Sequence, residues 1–192
     1  RLGLGYEAMQ KANPRLVYCA LKGFLSGPYE QRVALDEVVQ MMGGLAYMTG
    51  PEGRPLRAGA SVNDVMGGLF GVVAIQAALW ERQRTGKGTF VRSGLFENNM
   101  FLVAQHMLQY RQTGVPAVPM PERKSAWAIY DVFETADDEN IFVGVVSDKQ
   151  WTQFCNAFDL DDLLQNEDLH SNAQRVAQRE SFMPRLREMF KG

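Results

Sequence analysis

Apolar residues along the chain change their spacing from one region to the next, and those changes mark out the elements. Leu16 to Leu21 is a continuous apolar run between Asn13-Pro14 and Gly23. A strand covered on both faces, as in a parallel sheet, reads this way. After a turn at Gly27-Pro28, Leu35, Val38, Val39, Met42 and Leu45 recur at helical spacing. They predict an amphipathic helix over Ala34 to Tyr47, weakened by Gly43-Gly44. Thr49 to Ser61 is rich in Gly and Pro and predicts a loop. Asp64 to Arg84 is apolar around most of its circumference, so a buried helix is expected, with Arg82 and Arg84 suited to the negative end of its dipole. Thr85 to Gly88 turns, Thr89 to Ser93 predicts a short strand, and Leu95 to Arg111 a further helix. This order predicts the second half of an α/β layer domain.

Gln112 to Pro121 carries Gly114, Pro116, Pro119 and Pro121 and predicts a linker. Beyond it the texture changes. Ala128 to Thr135 and Asn140 to Val146 predict two strands joined in a hairpin through Ala136 to Glu139. Ser147 to Gln150 has capping-box spacing ahead of a helix over Lys149 to Phe158. Leu160 to Leu164 predicts a short helical turn. Asn172 is expected to cap a polar helix that Pro184 kinks or divides. The domains expected are therefore residues 1–112, with parallel strands, and 113–192, a linker followed by a small α+β domain.

Composition narrows the possibilities. The chain has 192 residues, 46% hydrophobic and 22% charged, with a net charge of -2. Those values fit a soluble globular protein and give no electrostatic case for nucleic acid or an anionic membrane. The most apolar run, Val65 to Trp80, is shorter than the ~20 residues of a spanning helix. Cys19 and Cys155 are the two cysteines, and His106 and His170 the two histidines. Neither pair has the spacing of a zinc site, and a reducing, cytoplasmic setting is expected. The chain opens on Arg1 without a methionine and stops directly after a helical pattern, so a fragment of a longer polypeptide is expected.

Few segments carry chemistry. Gly86-Lys87-Gly88-Thr89 lacks the rest of a phosphate loop, and Gly67-Gly68-Leu69-Phe70-Gly71 lies inside a helix, where close packing is the expected use of its glycines. Ser26 and Ser61 have no histidine nearby, Cys19 reads as a buried hydrophobe, and Asp36-Glu37 favours the dipole of its own helix. Asp64 stands where the polar turn from Gly59 becomes the long apolar helix. Local sequence predicts a helix N-cap there, the usual task of such an aspartate.

Several motifs, taken in order, resemble the class III CoA-transferases, the group that includes formyl-CoA transferase. They are Asn13 to Tyr18, Gly23-Phe24 with Gly27-Pro28-Tyr29, Gln40 to Leu45, Thr49-Gly50, Arg82 to Gly88, Phe133 to Asp138, and Gln150-Trp151. The family's A-x-x-x-D-x-x-x-G pattern is present as Ala60, Asp64 and Gly68. The resemblance implies a Rossmann-like large domain and an interlocked homodimer. It also implies that Asp64 is a nucleophile moving coenzyme A from an acyl-CoA to a small free carboxylic acid, without a metal. An aspartate can attack a thioester carbonyl and pass through a mixed anhydride and an aspartyl-CoA thioester. Amides at the helix start are then expected to stabilise the oxyanions formed.

The stretch Val33, Ala34, Leu35 and Asp36 corresponds to a CoA-contacting loop of the family. Racemases of the same family carry His-Asp where Leu35-Asp36 stands, and leucine cannot move a proton, so transfer is favoured over α-methylacyl-CoA racemisation. A non-catalytic acyl-CoA-binding fragment is the alternative from another class. Small dicarboxylic acids such as succinate are expected substrates, with Arg57, Arg123 and Lys124 as candidate partners for a second carboxylate or as surface charges.

Overall fold

The computed structural model describes residues 2–123 and 125–192, so Lys124 lies outside the described residues. The chain is α/β and separates into two units, Arg1–Arg123 and Lys124–Gly192. In the first unit the elements are α1 (Tyr6–Ala12), β1 (Tyr18–Lys22), α2 (Asp36–Met42), α3 (Leu45–Thr49), α4 (Val62–Thr85), β2 (Phe90–Gly94) and α5 (Leu95–Thr113). β1 and β2 run parallel, in register from Tyr18 opposite Phe90 to Lys22 opposite Gly94. The crossover between them contains α4, which packs on both strands and on α5.

The single helix expected over Ala34 to Tyr47 is two helices. Gly44 takes φ +83°, a left-handed conformation that ends α2 and redirects the chain into α3. α1 was not anticipated, because Tyr6 to Ala12 buries no residue and so shows no apolar stripe. The turn motif Arg82 to Gly88 proves structural. Arg82 donates to the Arg15 carbonyl at 3.2 Å, Arg15 donates back to the Gly86 carbonyl at 3.3 Å, and the Gly88 amide reaches the Pro14 carbonyl at 2.8 Å. The motif thus ties the end of α4 to the entry of β1.

α4 is not buried all round, as its apolar circumference predicted. Its buried residues are Asn63, Gly67, Gly71 and Ala78. A Cβ on Gly67 would lie 2.7 Å from Leu95 Cδ2, and one on Gly71 would lie 2.9 Å from Leu21 Cδ2. These glycines let the helix axis approach β1 and α5, as their place in the sequence predicted. The opposite face leaves Val65, Leu69, Val72, Val73 and Trp80 exposed. With 24 residues and a largely apolar sequence, α4 has the length and composition, though only those, to cross a bilayer.

In the second unit, β3 (Ile129–Glu134) and β4 (Asn140–Val145) form the expected hairpin, antiparallel from Ile129 opposite Val145 to Glu134 opposite Asn140. It is followed by α6 (Asp148–Ala157), α7 (Asp161–Leu164), α8 (Asn172–Ala177) and α9 (Arg179–Lys191). Ile129, Phe133, Trp151, Phe154, Met183 and Leu186 build the core, and each large apolar side chain removed from water contributes roughly 1.5–3 kcal/mol. Two sequence expectations are corrected. Ser171, not Asn172, caps α8 in a full capping box with Gln174, freeing Asn172 to donate to the Ala126 carbonyl at 2.8 Å. The polar helix divides at Gln178, and Pro184 sits inside α9 without ending it.

Candidate active site

The start of α4 is held from outside its own sequence. Ser61 occupies the N-cap position, yet its side chain makes no capping bond. The cap comes instead from Asp36, the first residue of α2. Its Oδ1 accepts from the backbone amide of Asn63 at 2.7 Å and from that of Asp64 at 3.4 Å. A carboxylate at the positive end of a helix dipole is well placed, and two otherwise unpaired amides are satisfied at once. Asp36 is only 3% exposed, so its charge must be met by protein donors.

Those donors form a small frame. Gln40, one turn along α2 and fully buried, donates to Asp36 Oδ2 at 2.5 Å, and its own carbonyl accepts from the Ala58 amide at 2.7 Å. The spacing of four residues puts both side chains on one face of α2. Arg57 approaches Asp36 Oδ2 to 3.8 Å while pairing with Glu37 and donating to the Ala58 carbonyl at 3.1 Å. Arg57 is therefore part of the frame, already committed to protein partners. Beneath it, Asn63 Nδ2 donates to Asn99 Oδ1 on α5 at 3.2 Å, both residues fully buried. Asn63 Oδ1 and Asn99 Nδ2 have no partner among the described residues. Ser93 donates to the Gly67 carbonyl at 2.9 Å and accepts from Asn98 at 3.1 Å, extending the polar seam along α4.

Asp64 sits in the first turn of α4, three residues past the N-cap, and is exposed. Its side chain does not cap the helix, contrary to the local sequence reading. Among the described residues its carboxylate accepts no hydrogen bond. The physical reason is competition: Asp36 already occupies the amides that an aspartate in the first turn would seek. The same fact alters the expected oxyanion site. The amides of Asn63 and Asp64 belong to Asp36, and that of Val62 reaches the Ala60 carbonyl at 2.9 Å. An oxyanion beside Asp64 must be met by other donors.

The stretch Val33 to Asp36 is split by the structure. Val33 and Leu35 are exposed, at 88% and 62%. Ala34 packs against Gly23, where a Cβ would lie 2.4 Å from the Ala34 Cβ, so the first glycine of Gly23-Phe24 sets the course of this loop. Gly23 to Leu25 are pinned in turn by α5, through Phe96 N to the Gly23 carbonyl at 3.0 Å and Leu25 N to Glu97 Oε1 at 3.1 Å. Asp36 alone turns inward. Asp36 and Asp64, both singled out from sequence, thus meet at one helix end. Gln40, Arg57, Asn63 and Asn99 were not grouped with them. For Gln40, Asn63 and Asn99 the signal was a polar residue set within a helix, whereas Arg57 lies in the loop ahead of α4.

His106 lies elsewhere, in the wall of a cavity of about 370 Å³ between α3 and α5 that it shares with Tyr47, Met48, Val103 and Tyr110. Burial pushes its pKa down, with the Arg123 charge adding to the effect. Asp64 is not in that wall. Among the described residues no group of three or more His, Cys, Asp or Glu is placed to hold a metal.

Comparison with known proteins gives a consistent result. The sequence matches CoA-transferase family III over residues 1–192. It is 33% identical over 179 residues to the succinate–glutarate CoA-transferase of Agrobacterium fabrum, covering 92% of this chain and 44% of that protein. It is 31% identical over 191 residues to the human succinyl-CoA:glutarate CoA-transferase, covering 98% and 43%. The acetyl-CoA:oxalate CoA-transferase of Acetobacter aceti is 31% identical, with 97% and 48% covered. Among solved structures, a CAIB/BAIF family protein from Brucella suis superposes with a TM-score of 0.82 at 32% identity, covering 98% of this chain and 50% of that one. The chain spans about half the length of these relatives.

Proposed function

Since the chain belongs to CoA-transferase family III, we propose that it is part of an enzyme that moves coenzyme A from an acyl-CoA to a free carboxylic acid, with Asp64 as the nucleophile. The observation that carries this reading is the state of Asp64. Among the described residues it is an exposed carboxylate without a donor, at the start of a helix whose amides another carboxylate has taken. Such a carboxylate keeps its lone pairs for an electrophile.

The steps balance without an acid or base. The Asp64 carboxylate adds to the thioester carbonyl, the C–S bond breaks, and CoA thiolate leaves a mixed anhydride on Asp64. The thiolate then adds to the Asp64 carbonyl of that anhydride, releasing the donor acid as its carboxylate and leaving an aspartyl-CoA thioester. The acceptor carboxylate attacks this thioester, expels CoA thiolate and forms a second anhydride. Attack of the thiolate on the acceptor carbonyl gives the new acyl-CoA and restores Asp64. Every attacking and every leaving group is an anion, so no proton changes hands. Leu35, exposed where a racemase needs a proton carrier, agrees with transfer over racemisation.

In this reading residues 1–112 are the C-terminal part of a Rossmann-like large domain, which the parallel β1–β2 pair supports, and 113–192 are the linker and small domain. Val33, Ala34 and Leu35 contact CoA. Residues outside this chain, and a second copy in a cytoplasmic homodimer, complete the pocket around the exposed Asp64. The substrates are short dicarboxylic acids, the class in the names of several relatives. The test uses the full-length enzyme with succinyl-CoA as donor and glutarate or oxalate as acceptor. Hydroxylamine trapping and mass spectrometry should place the modification on Asp64. Asp64→Asn should abolish transfer, and near-wild-type turnover in that variant would refute the assignment.

A further inference from the structure

Two carboxylates compete for one pair of amides at the start of α4, and the structure shows which prevails. Asp36 reaches the amides of Asn63 and Asp64 at 2.7 and 3.4 Å from a buried position fixed by Gln40 at 2.5 Å. Asp64, in the first turn of the same helix, is exposed and its carboxylate is unbonded among the described residues. An acidic side chain in a first turn readily folds back on nearby amides or pairs with the helix dipole. Were the amides vacant, Asp64 would be drawn onto its own helix. Its oxygens would then be hydrogen-bonded, less nucleophilic and turned from the approaching thioester.

We propose that Asp36 is a positioning residue for the transfer reaction: it occupies the N-terminal amides of α4 and thereby keeps the Asp64 carboxylate free and correctly placed. This role rests on Asp64 being the nucleophile. It differs from a CoA contact, because the Asp36 carboxylate points into the protein, and from a simple cap, because what it secures is the reactivity of another residue. Gln40 belongs to the same device. Its amide holds Asp36 Oδ2, and its carbonyl fixes the Ala58 amide three residues before the N-cap. The contact to the backbone of Asp64 is direct, so losing it shifts the nucleophile itself. A displacement of about 1 Å in a reacting group costs on the order of 100-fold in rate.

The experiment uses full-length enzyme with succinyl-CoA and glutarate. Asp36→Ala should lower kcat by about 100-fold while the KM for acyl-CoA moves less than about 3-fold, the pattern of lost orientation with binding retained. Formation of the hydroxylamine-trapped Asp64 adduct should slow in parallel, and the Asn63 and Asp64 amides should exchange with solvent faster. The double variant Asp36→Asn with Gln40→Glu reverses the bond between positions 36 and 40 and keeps an acceptor oxygen on the two amides. It should recover at least about 10-fold of the lost kcat, which a purely structural insult at position 36 would not predict. Should Asp36→Ala not fold, Asp36→Asn alone takes its place. That variant sets two amide donors against each other and should be slower than the double variant.

A higher KM with unchanged kcat would make Asp36 a CoA contact and overturn the proposal. So would a double variant no faster than the single one, or amide exchange that does not change. If wild-type enzyme is trapped at a residue other than Asp64, the functional reading fails, and the exchange data still decide whether Asp36 holds the helix.

Discussion

Gly68 offers a substitution whose effects on stability and activity should run in opposite directions. It lies one turn beyond Asp64 on the same face of α4. A Cβ built on Gly67 or Gly71 meets Leu95 or Leu21 at 2.7 or 2.9 Å, whereas one built on Gly68 meets nothing within 4 Å. Packing within the described residues therefore gives no reason for glycine at this position. Helix propensity argues against it, since alanine in a helix interior is favoured over glycine by about 0.8–1 kcal/mol. Without a clash to offset it, Gly68→Ala should stabilise by about 1 kcal/mol, read by urea unfolding of the full-length enzyme. A helical Cβ leans toward the N-terminus, which here is toward Asp64. If a thioester approaches over this glycine, the added methyl should misplace it, and kcat/KM should fall about 10- to 100-fold. Gly67→Ala, by contrast, should destabilise through its contact with Leu95. Unchanged kcat/KM in Gly68→Ala would show that substrate does not pass over this face. A loss of stability would show that the open space beside Gly68 is filled in the complete enzyme, and either result refutes the argument.

Three further outcomes follow from the same geometry. Gly43→Ala would place a Cβ 1.8 Å from Asn99 Nδ2 and 2.8 Å from Met100 Cε, displacing the residue that holds Asn63. Overpacking and an unpaired buried amide outweigh the entropic gain of alanine, so a net loss of about 2 kcal/mol is expected by urea titration. Arg175, buried at 3% exposure, donates to the Leu169 and His170 carbonyls at 2.8 Å each and stacks 5.0 Å over Trp151. Arg175→Met should cost about 2 kcal/mol, mainly through the two carbonyls left without a donor, with a matching drop in the unfolding midpoint. Burial alone would raise the Asp131 carboxyl, but the Val132 amide with Arg187 and Arg179 outweighs it and holds the group below the usual carboxylate range. A lowered folded-state pKa means that this stabilisation is complete above the unfolded value near 4 and is lost as pH falls through the folded one. Acid titration of stability should therefore be shallower in Asp131→Asn over that interval, and an identical profile would count against the ion-pair cluster.

Periodicity gave most of the elements because each is a property of consecutive residues. The hairpin was legible in the alternation around Ile129 and Phe133, and the β1 run in its unbroken apolar stretch. The break between α2 and α3 was half legible: Gly43-Gly44 announced weakness, but only the left-handed turn at Gly44 decides that the chain changes direction. α4 misled in the opposite sense. An all-round apolar helix reads as buried, yet here burial follows the small residues Gly67, Gly71 and Ala78, where the neighbouring backbone can come close, and leaves Val72 and Trp80 in the open. Hydrophobicity reports how much a residue gains from cover and does not report what supplies the cover.

The site illustrates a different limit. Local preference rules place an aspartate at the start of α2 and another at the start of α4, and assign each to its own helix dipole. The structure sends Asp36 to the other helix, across 28 positions of sequence. No rule based on neighbouring residues distinguishes the two carboxylates, because both satisfy the same preference for free amides. Their difference is one of burial. Asp36 is enclosed with Gln40, and withdrawing it from the amides would leave an unpaired charge in the interior, whereas Asp64 can be solvated at no comparable cost. The buried carboxylate therefore becomes the structural one and the exposed carboxylate the available one.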